Sequence, residues 1–284
     1  MRGEFTPLKL EPIVVGALRE DCPWGDLTTS SLFPTAAQAR AQVVSRKPGV
    51  VAGLPVLREV FRYLDSEVRV TVHCCEGTEV GAGQVVATVD GDARAILKGE
   101  RVALNFLGRL SGIATLTRRY VEAVAGLPCR IVDTRKTTPG LRFLEKYAVR
   151  VGGGSNHRFG LSDGVLVKDN HLALLYRQGL SLREAIQRIR TRVPHGVRIQ
   201  VEAESLHRVE EILAAGADAI LLDNMDLATL QRAVALCRGR VLTEASGGIT
   251  LENVRAVAQT GVDLISVGAL THSAPALDFA LEVQ

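Results

Sequence analysis

Aromatic side chains are scarce in this 284-residue chain, at 4% of residues. No basic stripe with interleaved aromatics is present to stack on bases, which argues against nucleic-acid binding. Cysteine is sparse too: the five, at 22, 74, 75, 129 and 237, form no CxxC pair, so neither a zinc site nor a disulfide framework is suggested and a reduced compartment fits. No apolar run approaches the roughly 20 residues of a helical membrane span. The opening MRGEFTPLKLEP lacks the apolar centre of a secretory leader. The expectation is a cytoplasmic protein with no membrane contact. An excess of one charge is also missing, the formal net charge being only +3. Lysine itself is rare, six against 28 arginines, a skew that suits a heat-adapted or a GC-rich source alike.

Against that near-neutral background one stretch is strongly basic. Residues 133 to 171, DTRKTTPGLRFLEKYAVRVGGGSNHRFGLSDGVLVKDNH, gather nine basic side chains around a triple glycine: Arg135, Lys136, Arg142, Lys146, Arg150, His157, Arg158, Lys168 and His171. The ordinary meaning of such a run is a solvated face. A compact anionic ligand explains a local cluster better than a long polyanion does.

Six short apolar runs in the back half each end in polar residues: RIVDTRK, GVLVKDNH, RIQVEAES, AILLDN, VLTEASGG and LISVGALTHS. Runs rich in Val, Ile and Leu read as strands buried on both faces, as in a parallel sheet covered by helices. Helical spacing separates them, in Leu182, Ala185, Ile186, Ile189, then Val209, Ile212, Leu213, then Leu227, Leu230, Val234, and then Val254, Val257, Ala258. Strand starts near 199, 219, 241 and 264 fit repeated strand and helix units, in either a (β/α) barrel or an open doubly wound sheet. Leu141, Leu144, Ala148 and Val151 predict a helix that stops at Gly152 to Gly154, a candidate mobile loop. In the front third, SEVRVTVHC and QVVATVDG alternate like half-exposed antiparallel strands, and Leu54 to Leu64 and Leu97 to Val124 are helical in pattern. The domain boundary is expected inside that second helix, giving an α+β domain over 1–110 and a barrel over 111–272.

In both architectures the ligand sits at the carboxyl ends of the strands, where the polar residues of these runs fall. Arg135 and Lys136 need a counter-charge, and arginine's planar fork suits a carboxylate or phosphate. Lys168 emerges at a strand end beside Asp169, which equally offers to neutralise it. Glu202, Glu204 and Asp223 provide acids, with the Asn224 amide beside them, suited to a sugar diol, a metal held through water, or a developing cation. SGGIT, residues 246 to 250, frees backbone N–H groups just before a helix and reads as a phosphate cradle, with VGALTHS at 267 to 273 as its second element. His157, His171 and His272 lie on the expected rim but in no zinc spacing.

At these residues the chain resembles the quinolinate phosphoribosyltransferases. The match runs through EDCPWGDLTT (20–29), GERVALNFLGRLSGIAT (99–115), DTRKTTPG (133–140), GGGSNHRFGL (152–161), KDNH (168–171), VEAES (201–205), LLDN (221–224), SGGI (246–249) and SVGALTHS (266–273). Ala203 departs from the family's usual alternation of valine and glutamate. The resemblance implies an open, TIM-like (β/α) barrel with an antiparallel front domain that receives the tail at 273–284. It implies transfer of phosphoribosyl from phosphoribosyl pyrophosphate to quinolinate with decarboxylation, Mg²⁺ as cofactor, and a homodimer or dimer-built hexamer. Arg135, His157, Arg158 and Lys168 would bind quinolinate beside Thr134, with Arg101 reaching in from a neighbouring subunit. Lys136 would face the pyrophosphate, with His272 adding a contact. Glu202 and Asp223 would hold ribose hydroxyls or Mg²⁺, directly or through water, and Lys136, Lys168, Glu202 and Asp223 form the catalytic set. Ser246, Gly247, Gly248, Val267, Gly268 and Ala269 would cradle the 5′-phosphate. A relative of the same fold associated with molybdenum transport, and a non-catalytic phosphosugar-binding regulator, are the alternatives.

Overall fold

The computed structural model describes residues 7–284, with side chains from Leu10 onward. Residues 1–6, part of the opening stretch read above for a leader, lie outside the described residues. The described residues divide into two compact units: residues 7–118, 137–153 and 271–284 make the first, and 119–136 with 154–270 make the second. No helix among the described residues is long and apolar enough to cross a membrane.

The first unit begins with helices α1 (Pro7–Asp21) and α2 (Leu27–Leu32). Strands β1 (Gln38–Ser45), β3 (Arg69–Val72) and β5 (Val85–Asp92) follow, with the short pair β2 (Gly49–Val50) and β4 (Glu79–Val80) and helix α3 (Leu54–Leu64) between them. Helices α4 (Ala93–Ala123) and α5 (Arg142–Val151) and the C-terminal strand β12 (Phe279–Val283) complete the set, α4 running on past Arg118 into residues of the second unit. The sheet order is β12-β1-β5-β3, and its pairings are antiparallel. The alternating runs of the sequence are thus neighbours, Val70 opposite Val89. One face is apolar, and Val56, Leu57, Val60 and Phe61 of α3 are fully buried.

Helix α3 starts at Gly53, which has no side chain to cap it. The carboxylate of Glu76 takes that role, accepting from Leu54 N at 2.7 Å and Gly53 N at 2.9 Å. Glycines also let the tail lie on α4: a Cβ at Gly112 would stand 2.0 Å from the Pro275 carbonyl oxygen, and Leu277 N donates to Gly108 O at 2.9 Å. A buried clamp ties further segments of this unit: Arg109 Nη2 is 2.8 Å from Glu145 Oε1, and Thr138 Oγ1 donates to the same carboxylate at 2.8 Å.

The second unit carries six parallel strands: β6 (Arg130–Val132), β7 (Val165–Val167), β8 (Ile199–Ala203), β9 (Ala219–Asp223), β10 (Leu242–Ser246) and β11 (Leu264–Ser266). Helices α6 (Asp169–Arg177), α7 (Leu182–Arg190), α8 (Leu206–Ala215), α9 (Leu227–Cys237) and α10 (Val254–Gln259) separate them, and α11 (Ala269–His272) follows β11. Their starts are marked by side chains: Ser181 and Glu184 form a capping box on α7, while Ser205 and Asp226 accept the Arg208 and Thr229 amides.

Strand order decides between the two architectures that the sequence left open. It is β6-β11-β10-β9-β8-β7, so first and last strands are neighbours and the others follow in sequence, as in a barrel and not in a doubly wound sheet with its reversal. No ladder joins β6 to β7, which leaves the barrel open there. Ser155 alone bridges Val132 in parallel, its N–H donating to Ile131 O at 2.8 Å.

Candidate active site

The carboxyl ends of the barrel strands carry the functional side chains because each strand is an apolar run that stops where the chain leaves the sheet. Asp223 and Ser246 are the last residues of β9 and β10, Glu202 is the fourth of five in β8, and Lys168 directly follows β7. Parallel register aligns Glu202 with Leu221 and Ser246 with Asp223, so these ends share one rim.

The acids converge. Carboxylate oxygens of Glu202, Glu204 and Asp223 lie within 4.8 Å of one another, a donor set suited to a hard divalent cation. Lys168 Nζ stands 3.4 Å from Glu202 Oε2, so it is this acid that partly neutralises the lysine. Burial, with Asp223 nearby, raises the Glu202 carboxyl above its ordinary value although Lys168 opposes the shift. Asn224 donates to Asp223 Oδ2 at 2.9 Å and adopts positive φ, 52°.

Arg158 is half-buried with Nη1 donating to Gly164 O at 2.8 Å. Its guanidinium is pushed below its ordinary value by burial and by the like charge of Arg135. Thr134 sets the turn that follows β6 by accepting the Lys136 amide at 3.0 Å.

Gly247 and Gly248 make the turn after β10 where a phosphate cradle is expected. Both have positive φ, 90° and 62°, and a Cβ on Gly247 would fall 2.1 Å from Asn224 Oδ1, so only glycine fits there. Among the described residues the amides of Gly247, Gly248 and Ile249 make no hydrogen bond within the protein. The helix expected after these glycines on Val254, Val257 and Ala258 is present as α10, preceded by a short turn. Asn253 donates to Gly248 O and accepts from Thr250 N, which closes a turn, and six-residue α10 starts only at Val254. Val267 is buried and Gly268 and Ala269 half-buried where β11 leads into α11.

Arg142, Lys146 and Arg150 are on α5 in the first unit, where Lys146 is buried. His171 caps α6, its Nδ1 accepting the Lys168 amide at 2.9 Å. Arg101, exposed on α4, and His272, whose Nδ1 lies 2.6 Å from Ser273 Oγ, also belong to the first unit.

Two acids went unnoticed in the sequence. Asp133, fully buried, accepts from His157 N at 2.8 Å and Asn156 Nδ2 at 2.6 Å and so fixes the loop that carries Arg158. Glu244, 1% exposed, lies 3.2 Å from His157 Nε2 and accepts from Gln200 Nε2 at 2.8 Å. A carboxylate inside an apolar strand, three residues before the first of the two glycines, was the available signal.

Known proteins share this arrangement over almost their whole length. Residues 26–111 match the N-terminal domain of quinolinate phosphoribosyl transferase, and residues 113–282 its C-terminal domain. A Bacillus subtilis protein named probable nicotinate-nucleotide pyrophosphorylase (carboxylating) is 45% identical over 276 residues, spanning 97% of this chain and 94% of its own. A Nicotiana glauca protein named quinolinate phosphoribosyltransferase (decarboxylating) 2, mitochondrial, is 39% identical over 96% of this chain and 82% of its own. The crystal structure of NadC from Streptococcus pyogenes superposes with a TM-score of 0.93 at 42% identity, covering 99% of this chain and 98% of that one. On matches to both domains and on this identity, the chain belongs to the quinolinate phosphoribosyl transferase family.

Proposed function

We propose that the chain transfers the phosphoribosyl group of phosphoribosyl pyrophosphate to quinolinate with loss of CO₂, yielding nicotinate mononucleotide and pyrophosphate for NAD synthesis. The observation that carries this is Lys168 Nζ standing 3.4 Å from Glu202 within the carboxylate cluster of Glu202, Glu204 and Asp223 at the strand ends, in the unit where Arg158 is half-buried and disfavoured as a cation by burial and by the like charge of Arg135. Like charges in a half-buried setting favour an anion between them, and a pyridine with adjacent carboxylates supplies two. Lys168 adds a third cation. His157 lies on the loop that carries Arg158, Thr134 shapes the turn after β6, and Lys136 faces the departing pyrophosphate.

The reaction needs no protein nucleophile. As the pyrophosphate leaves the ribose, positive charge develops at C1, and the carboxylates of Glu202 and Asp223 stabilise it electrostatically. The pyridine nitrogen forms the new bond to C1. The resulting pyridinium ring accepts the electron pair released when the neighbouring carboxylate departs as CO₂, and a proton takes the vacated ring position. The residues' work is to orient the two substrates and exclude water. Ser246, Gly247, Gly248, Val267, Gly268 and Ala269 hold the 5′-phosphate, the unengaged amides of Gly247 and Gly248 serving as donors.

The cluster of Glu202, Glu204 and Asp223 fits Mg²⁺, an ion bound through one or two carboxylates with waters retained. Bound there, it would neutralise charge on the diphosphate. We read the assembly as a homodimer or dimer-built hexamer in which Arg101 serves a neighbouring subunit's site, and the compartment as cytoplasm. No observation favours the molybdenum-associated or regulatory alternatives.

The direct test mixes the purified protein with quinolinate, phosphoribosyl pyrophosphate and Mg²⁺ and follows nicotinate mononucleotide by chromatography. Product formation that stops with a chelator is expected. Absence of product with both substrates saturating would refute the reading.

A further inference from the structure

The buried carboxylate of Glu244 has no place in that chemistry, yet it is retained in the barrel interior at 1% exposure. A charge so placed is tolerated only with partners, and an apolar side chain of similar volume would serve packing as well or better. Its position is informative. Strand side chains alternate, so Glu244 shares a face with Ser246 and lies about 6.6 Å below it along β10. Gln200 stands in the same relation to Glu202 on β8. A polar layer therefore lies directly beneath the acids and the glycine cradle.

The hydrogen-bond directions in that layer fix a tautomer. Arg158 N–H donates to His157 Nδ1 at 2.7 Å, so Nδ1 carries the lone pair and not the proton. The remaining ring proton is on Nε2 and faces Glu244 Oε2 at 3.2 Å. Gln200 Nε2 approaches the same oxygen at 2.8 Å, which holds that carboxylate in place. The main-chain amide of His157 is meanwhile taken by Asp133 at 2.8 Å. Both ring nitrogens of His157 are engaged, and they connect Glu244 to the backbone of Arg158. The guanidinium of Arg158 is fastened at its other end by Gly164 O at 2.8 Å.

We infer that Glu244 is a positioning residue for the pyridine dicarboxylate site: through the Nε2–H tautomer of His157 it fixes the Arg158 main chain and so aims the guanidinium. This rests on the proposed function for the identity of the substrate, and it replaces direct binding by His157 with a strut. The acid is mid-strand, whereas Arg158 is on a loop that only hydrogen bonds define.

The test separates the two substrates. In Glu244→Leu the KM for quinolinate should rise about tenfold or more, the loss of one charge-assisted hydrogen bond. The KM for phosphoribosyl pyrophosphate should stay within about twofold. Glu244→Gln, whose amide oxygen can still accept from His157, should restore most of the quinolinate KM. Equal rises in both KM values, no rise, or no rescue by glutamine would each overturn the proposal. Nitrogen-15 NMR of wild-type His157 needs no variant to fold: the Nε2–H tautomer is expected, and an Nδ1–H tautomer overturns the strut. If the wild-type protein makes no nicotinate mononucleotide, the proposed function fails while the NMR result still judges the strut by itself.

Discussion

The two ends of the parallel strands treat carboxylates in opposite ways. At the amino ends, Asp218 and Asp263 each precede a strand and are saturated by neighbouring donors. Asp218 Oδ2 accepts Ile199 N at 2.8 Å and its Oδ1 meets Arg190 Nη2 at 2.8 Å. Asp263 Oδ2 accepts Thr243 N at 2.8 Å and Thr243 Oγ1 at 2.6 Å. At the carboxyl ends, Glu202 and Asp223 crowd one another and Glu204, with only Lys168 and Asn224 for relief. The amino-end acids stitch adjacent strands and stabilise the fold. The carboxyl-end acids carry unsatisfied charge that a bound cation or a developing positive centre would compensate, and this separation of tasks is what lets a barrel change its chemistry without losing its core.

The largest effect that would break this comparison is on turnover. Lys168→Ala should lower kcat/KM by about a hundredfold, given roughly 1.5–3 kcal/mol for a charge-assisted contact and the loss of partial neutralisation at Glu202. Its thermal midpoint should stay within a few degrees of wild type, since the lysine side chain is 49% exposed. Near wild-type turnover of quinolinate would show that this end of β7 is not the site.

Lys168 was legible in the sequence because a topological rule converts strand ends into rim positions, and the strands themselves were plain. Runs expected to start near 199, 219, 241 and 264 start at Ile199, Ala219, Leu242 and Leu264, since strands buried on both faces are apolar throughout. Other parts had no local signal. The first half of β1, QARA, is half polar and has no large apolar side chain, and its partner β12 is more than 230 residues away, so only tertiary pairing defines them. Closeness in sequence also did not reveal that Arg142, Lys146 and Arg150 lie on α5 of the first unit while Arg135, Lys136, Arg158 and Lys168 belong to the second. Glu244 and Asp133 act through hydrogen bonds to a loop, and no spacing encodes those.

A second measurement attacks the amino ends. Asp263→Ala would leave the N–H and hydroxyl of Thr243, a residue 3% exposed, without their acceptor. Losing such partners costs about 1–3 kcal/mol. Urea unfolding should show an unfolding free energy lower by that amount and a correspondingly lower midpoint, with kcat per folded molecule and both KM values unchanged. A change in KM as large as the stability loss would mean that the two ends are not functionally separate.

The smallest effect is also the most specific, because the two sets of acids should give stability opposite slopes with pH. Burial raises the Asp218 carboxyl, but hydrogen bonds from Arg190 and the Ile199 amide outweigh it and leave the net shift below the ordinary 3.8. Its folded form therefore releases its proton more readily than the unfolded chain does, so Asp218 stabilises fully above 3.8 and that stability is lost as pH falls through the lower folded value. Glu202 behaves in reverse. Its folded value lies above the ordinary 4.5, chiefly from burial, so the folded state holds the proton longer and stability falls as pH rises from 4.5 through the raised value. In chelator-treated protein without substrates, Glu202→Gln should therefore raise the neutral-pH midpoint while abolishing turnover, and Asp218→Asn should lower it while sparing turnover. Their difference from wild type should shrink for Glu202→Gln as pH drops below 4.5, and for Asp218→Asn only at still lower pH. Stabilisation by removal of a carboxylate marks a group held against folding preference, and Glu202 would lose its claim to the site if its removal destabilised the metal-free protein as Asp218→Asn does.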